Sequence, residues 1–137
     1  MKRIIFSLAL IGLIATVYAQ QVVSLSGSTS AFADSPPSFN WSQTTHDFGK
    51  IKLNTPVLHE FTFVNNGGSP LIISSVQASC GCTVTEYSKD VVPAGAEGFV
   101  KATYNAAKPG VFTKTVTVNA NTEEGVVVLT IRGEVVE

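Results

Sequence analysis

From Phe39 onward, apolar and polar residues alternate in short runs separated by turn-forming residues. Val57 to Asn65 puts Phe61 and Phe63 on one side and Glu60 and Thr62 on the other. Asn66-Gly67-Gly68-Ser69-Pro70 ends that run as a turn, because glycine takes positive φ freely and proline fixes the exit. Leu71 to Val76 forms a second run, and its alternation slips at Ser74-Ser75 as at a bulge. Thr83 to Tyr87 is a short third run, and Val92-Pro93-Ala94-Gly95 turns the chain again. Gly98 to Tyr104 places Val100, Ala102 and Tyr104 on one face. After Lys108-Pro109-Gly110, Phe112 to Ala120 sets Phe112, Val116, Val118 and Ala120 against Thr113, Thr115, Thr117 and Asn119. Asn121 to Gly125 turns, and Val126 to Ile131 is apolar enough to require an internal or well-paired position, since such a run aggregates when exposed. No helical repeat interrupts these segments. Short strands at this spacing predict an antiparallel sandwich, with an open barrel as the alternative. Paired sheets bury alternating faces without closure, which favours the sandwich.

The amino terminus has a different pattern. Lys2 and Arg3 precede an apolar stretch from Ile4 to Val17, and Val17-Tyr18-Ala19 puts apolar or small residues where a signal peptidase reads. Residues 1–19 are therefore predicted to be a signal peptide cut before Gln20, with an uncleaved membrane anchor as the alternative. The stretch is short for a membrane span, which needs about 20 residues. Gln20, not cysteine, follows the cut, so no lipid anchor is expected. Residues 20–38 are serine-rich, close on Pro36-Pro37 and read as an extended, mobile linker.

Charge narrows the function classes. The chain carries 9 basic and 10 acidic residues, a formal net charge of -1, and loss of Lys2 and Arg3 would make it more negative. Scattered basic residues make no phosphate-tracking stripe, so no nucleic-acid partner is expected. There is no Gly-x-Ser-x-Gly, no phosphate-binding glycine loop and no glutamate–histidine metal helix. Glu123-Glu124 sits on a turn and reads as a solvated tip. Phe39 and Trp41 read as a cap on the core rather than an exposed anchor.

Cys80 and Cys82, the only cysteines, are the one place where chemistry could reside. In an extended strand they would share a face with Val76, Ala78 and Val84. Their Cα atoms would then lie roughly 6.6 Å apart, at the edge of disulfide geometry. Gly81 can bend the backbone and shorten that gap. Three readings follow: two buried thiols, a local disulfide, or a soft-metal site holding Cu(I) or Zn(II). A disulfide closing so small a loop would contribute less than about 2 kcal/mol and be comparatively reducible. A structural zinc needs four ligands, and only His46 and His59 remain as borderline donors, at a spacing unlike a metal finger. No helix follows the pair to acidify a thiol. His46, placed where a strand ends, and His59, at the start of its strand, read as ordinary rim residues.

Several segments together resemble the bacterial family called domain of unknown function 1573: His46-Asp47-Phe48-Gly49-Lys50-Ile51, Phe61 to Gly67, Pro70 to Ile73, Ser79-Cys80-Gly81-Cys82-Thr83, Gly110-Val111-Phe112 and Leu129 to Val135. The resemblance runs from about His46 to Val135, and the cysteine motif is its most specific element. Asn54 stands where that family often has glycine, and Val92-Pro93-Ala94-Gly95 is a loosened form of its Pro-Gly turn. The resemblance implies an immunoglobulin-like fold akin to Hydin-type and major-sperm-protein domains, and no reaction.

The combined reading is an all-β, immunoglobulin-like antiparallel sandwich of about seven strands over residues 39–137. The protein is expected to be exported to the periplasm, with an extracellular location as the alternative, and to need no cofactor. It is expected to act by binding rather than catalysis. The expected partner is an envelope or outer-membrane-associated protein, met through the loops Asn66, Gly67, Gly68, Ser69, Pro70 and Asn121, Thr122, Glu123, Glu124, Gly125, or through a sheet edge. The rival reading is a small periplasmic thiol-redox or copper- or zinc-binding protein centred on Cys80 and Cys82.

Overall fold

The computed structural model describes residues 35–137. The predicted signal peptide and all but the last four residues of the predicted linker lie outside them. Eight strands follow in order: β1 Phe39–Trp41, β2 Thr45–Lys52, β3 Val57–Asn65, β4 Ile73–Ala78, β5 Thr83–Tyr87, β6 Glu97–Tyr104, β7 Gly110–Ala120 and β8 Val126–Val136. They form two four-stranded sheets, ordered β1-β3-β6-β5 and β2-β8-β7-β4. The architecture is an immunoglobulin-like sandwich, with one parallel pair, β2 against β8, among antiparallel neighbours. Val126 to Ile131 belongs to the internal strand β8, as its apolar content requires.

Alternation builds the core. Phe61 and Phe63 on β3, Val100, Ala102 and Tyr104 on β6, Phe112, Val116 and Val118 on β7, and Leu129, Ile131 and Val135 on β8 are all buried between the sheets. Tyr104 stacks on Phe112 across the layers, with ring centroids 4.0 Å apart. Gly98 lies beneath the Phe63 ring, where any side chain would collide with it. Phe39 and Trp41 are half-buried and close the core against Phe63, each with its ring centroid 4.8 Å from that of Phe63. They are the expected cap.

Four local expectations are corrected. The second predicted strand starts later, at Ile73. Leu71 makes only an isolated bridge to Val92, while the register shift between Ile73 and Ser75 matches the predicted bulge. His46 lies inside a strand, β2, not at a strand end. That strand is broken in phase, because its register against β8 shifts between Asp47 and Lys50. Gly49 takes φ +67 there, its N–H donates to Asp47 Oδ1 at 2.8 Å, and Arg132 Nε donates to Asp47 Oδ2 at 3.1 Å. Third, Ser35 to Ser38 belong to the domain rather than to a free linker. Gly68 N–H donates to Ser35 Oγ, and Asn66 N–H donates to the Ser38 carbonyl. The fourth concerns Cys80 and Cys82, which sit in a turn and not on a strand face.

Candidate functional site

The strand directions sort the connections onto two ends. At one end lie the β3–β4 connection, the β5–β6 connection and the β7–β8 turn; at the other lie the β2–β3, β4–β5 and β6–β7 connections.

The first end is organised by Asn65, whose side chain is fully buried at the end of β3. Its Nδ2 donates to the carbonyls of Ser69 at 2.8 Å and Val92 at 3.0 Å. Its Oδ1 accepts from the N–H groups of Gly67 at 3.1 Å and Ser38 at 3.3 Å. One amide thus uses both donors and both lone-pair directions, as a buried amide must to avoid a desolvation penalty. The Gly67 backbone rests against Pro36 and Pro37, leaving no room for a Cβ. The Asn66–Pro70 segment is therefore pinned on both sides. Asn121 joins it to the β7–β8 turn: its Nδ2 donates to the Pro70 carbonyl at 3.0 Å, and its Oδ1 accepts from Ile72 N–H at 2.7 Å. The two loops named from sequence are thus brought together and cross-braced. Asn66, Pro70, Ile72, Asn121, Glu123, Glu124 and Val126 remain exposed around the brace. Thr122 is buried, and its hydroxyl has no hydrogen-bond partner among the described residues.

The opposite end carries the cysteines. Cys80 and Cys82 are joined by a disulfide with their Cα atoms 5.3 Å apart, inside the range such a bond requires. The strand-face reading fails because the chain leaves one sheet at Ala78 and enters the other at Thr83, so the pair occupies the crossing turn. Val84, predicted to share their face, is 69% exposed on the outside of β5. The turn is held by backbone bonds from Ser79 N–H to the Thr115 carbonyl at 2.8 Å and from Asn105 N–H to the Cys82 carbonyl at 3.0 Å. The Oγ1 of Thr83, almost wholly buried, lies 3.8 Å from Cys80 Sγ and 4.0 Å from Cys82 Sγ, so its one proton can be donated to either sulfur. Bonded to each other, the sulfurs present no thiolate to a metal. Nearby, Asn54 and Ala106 take positive φ, 59° and 53°. That explains why asparagine substitutes for glycine at position 54: its short polar side chain tolerates the left-handed region.

His46 and His59 come together, away from the cysteines. Their rings stack at 3.7 Å and 6° between β2 of one sheet and β3 of the other, at the sandwich's open lateral edge. Phe48 and Phe61 pack edge-on against them, each at 4.6 Å. Gln43 Nε2 lies 2.7 Å from His59 Nε2. Burial lowers the His59 pKa, the nearby His46 lowers it further, and Glu60 opposes both. Parallel stacked rings do not aim two nitrogens at one point. Among the described residues no three of His, Cys, Asp and Glu converge as a metal would need. Sequence reasoning placed both histidines at the rim but missed their pairing, since a contact between sheets leaves no periodic signal. It also missed Asn65, although an asparagine directly before Asn-Gly-Gly was a legible cue for a side chain that bonds turn backbone.

Comparison with known proteins agrees with this geometry. No curated protein matches the chain. Among solved structures, a protein of unknown function from Porphyromonas gingivalis W83 is similar with a TM-score of 0.64 and 12% identity, covering 72% of this chain and 46% of that one. The chain thus spans just under half the length of that relative. The ASH / PapD-like domain of human CEP192 is similar with a TM-score of 0.61 and 7% identity, covering 72% of this chain and 85% of that one. The VesB protease of Vibrio cholerae is similar with a TM-score of 0.58 and 15% identity, covering 72% of this chain and 32% of that one. At these identities the likeness is one of fold. Residues 39–135, nearly the whole described domain, match the family described as "Protein of unknown function (DUF1573)", and the chain belongs to that family.

Proposed function

We propose that this protein is an exported, non-catalytic binding module that docks onto another envelope protein through the Asn65 end of its sandwich. The observation that carries this reading is the cross-brace. Asn65 and Asn121 lock the Asn66–Pro70 and Asn121–Gly125 loops into one surface before any partner arrives. Loops that are already ordered lose little entropy on binding, so more of their contact energy appears as affinity. The exposed Ile72 and Val126 supply apolar contact beside the polar tips of Asn66, Glu123 and Glu124, the mixture common at protein–protein interfaces. A sheet edge is the secondary docking mode.

The test is capture from solubilised envelope with tagged native protein. One or a few envelope proteins are expected to be retained. Retention should fall at least about tenfold, the equivalent of about 1.4 kcal/mol, when Glu123 and Glu124 are both changed to Lys and Asn66 to Asp. It should survive Cys80→Ser with Cys82→Ser. Retention that ignores the loop changes and vanishes with the cysteines would replace the binding-module reading by the thiol-centred one.

A further inference from the structure

The disulfide turn poses a question of its own: what the bond is for. It spans one intervening residue, so it removes little entropy from the unfolded chain. It ties no distant elements together, because the β4–β5 crossing is already fixed by the bonds from Ser79 to Thr115 and from Asn105 to Cys82. A staple is not needed there. The surroundings instead suit exchange. Gly81 is exposed, and a Cβ built on it would meet nothing within 4 Å, so the outer side of the turn is open to an incoming thiolate. Both cysteines are half-buried, but Cys82 packs against the hydrophobic core and Cys80 is not part of that cluster, so Cys80 is the sulfur we assign as the one attacked. The Thr83 hydroxyl lies within hydrogen-bonding reach of both sulfurs and is sheltered from water.

We infer that the Cys80–Cys82 disulfide is a thiol–disulfide exchange site that accepts two electrons from a protein or peptide dithiol. A partner thiolate attacks Cys80 Sγ. The bond between Cys80 and Cys82 breaks, its electron pair leaves on Cys82 Sγ, and a mixed disulfide forms between Cys80 and the partner. Thr83 Oγ1–H donates to the departing Cys82 thiolate and stabilises it. The partner's second thiol loses its proton and attacks the partner sulfur of the mixed disulfide, and Cys80 leaves as a thiolate. The partner departs as a disulfide. Cys80 and Cys82 take up the two protons its thiols released, so two electrons and two protons have moved. A bond closing so small a ring is readily reduced, and thiolate exchange is fastest where the attacked sulfur is accessible. This site lies at the end opposite the loop surface and stands without the binding reading.

The test equilibrates native protein, without oxygen, against graded ratios of reduced to oxidised glutathione, then traps and counts thiols by mass. Both thiols should appear together, at ratios where a long-loop structural disulfide in a control β-sandwich stays oxidised. The rate of reduction by dithiothreitol is then compared among variants. Thr83→Val should slow it about tenfold and move its pH profile, because a hydrogen bond to a charged group is lost. Thr83→Ser, which keeps the hydroxyl, should restore both, and it also serves if the valine variant fails to fold. In Cys82→Ala, Cys80 should take up one glutathione from oxidised glutathione, at least about tenfold faster than Cys82 does in Cys80→Ala. A pair that resists reduction as the control does overturns the proposal. So does a serine variant as slow as a valine one, or equal uptake by the two single-cysteine proteins.

Discussion

The two ends of the sandwich hold their connections by different means. At the Asn65 end, a single buried amide bonds four backbone groups from residues 38, 67, 69 and 92, and Asn121 ties the neighbouring turn to Pro70 and Ile72. At the Cys80 end, the covalent bond joins residues two apart in one turn, and backbone hydrogen bonds do the joining. The covalent link is thus the weaker architectural element and the non-covalent one the stronger. A covalent cross-link stabilises chiefly by restricting the unfolded chain, and a very short loop restricts it little. Asn65 stabilises by another route, satisfying backbone groups up to 27 residues away around a buried amide, while the disulfide joins residues two apart. The end with architectural cohesion suits recognition, and the end with a dispensable bond suits chemistry.

The largest expected effect comes from Asn65→Leu. It removes four hydrogen bonds, one buried and three part-buried, and orphans the backbone groups they satisfied, at a cost of about 3–5 kcal/mol. Urea unfolding followed by the single tryptophan should show the unfolding free energy fall by that amount, read as a lower midpoint at unchanged slope. Replacing both cysteines by serine should cost only about 1–2 kcal/mol, by the loop-closure argument. A disulfide loss as costly as Asn65→Leu would break the comparison between the ends. Asn121→Ala should cost about 1 kcal/mol, since its bonds are exposed to water, and should loosen the two loops without disturbing the core. Amide exchange at Ile72 is the readout that isolates this effect.

The smallest effect concerns neither end and serves as a control on the lateral edge. His59 binds its proton less readily folded than unfolded, because burial and then His46 disfavour the charge. The unfolded state therefore takes up the proton first. Stability should be flat above the ordinary histidine value of 6.5 and fall as pH drops through it, until the folded protein is protonated too. His59→Gln should flatten that slope. Asp47, lowered chiefly by the Gly49 N–H and exposed, acts in a separate, more acidic window, with its contribution lost as pH falls below 3.8.

Strands β3, β6 and β7 were legible because each keeps one apolar face in strict alternation, as in Phe61 and Phe63 or Val116 and Val118. Strand β2 was not. His46 and Phe48 alternate, but Ile51 falls out of phase, and only the bulge at Gly49 returns it to the core side. A positive-φ glycine among charged residues reads as a strand end when seen in sequence alone. The loop pair was legible as two turns, while its brace was not, since Asn121 reaches Pro70 across 51 residues. The cysteines were misplaced because period-two reasoning assumes extended chain, and a crossing between sheets must turn.

The proposal that recognition belongs to the Asn65 end can be checked on the bound protein. Amide hydrogen exchange of the native protein, alone and with an envelope partner recovered by capture, tests it most directly. Slowed exchange is expected at residues 66–69 and 121–125 on binding, with residues 79–83 and the lateral edge between β2 and β3 unchanged. Protection confined to the cysteine turn or to that lateral edge, with both loops unaffected, would rule it out.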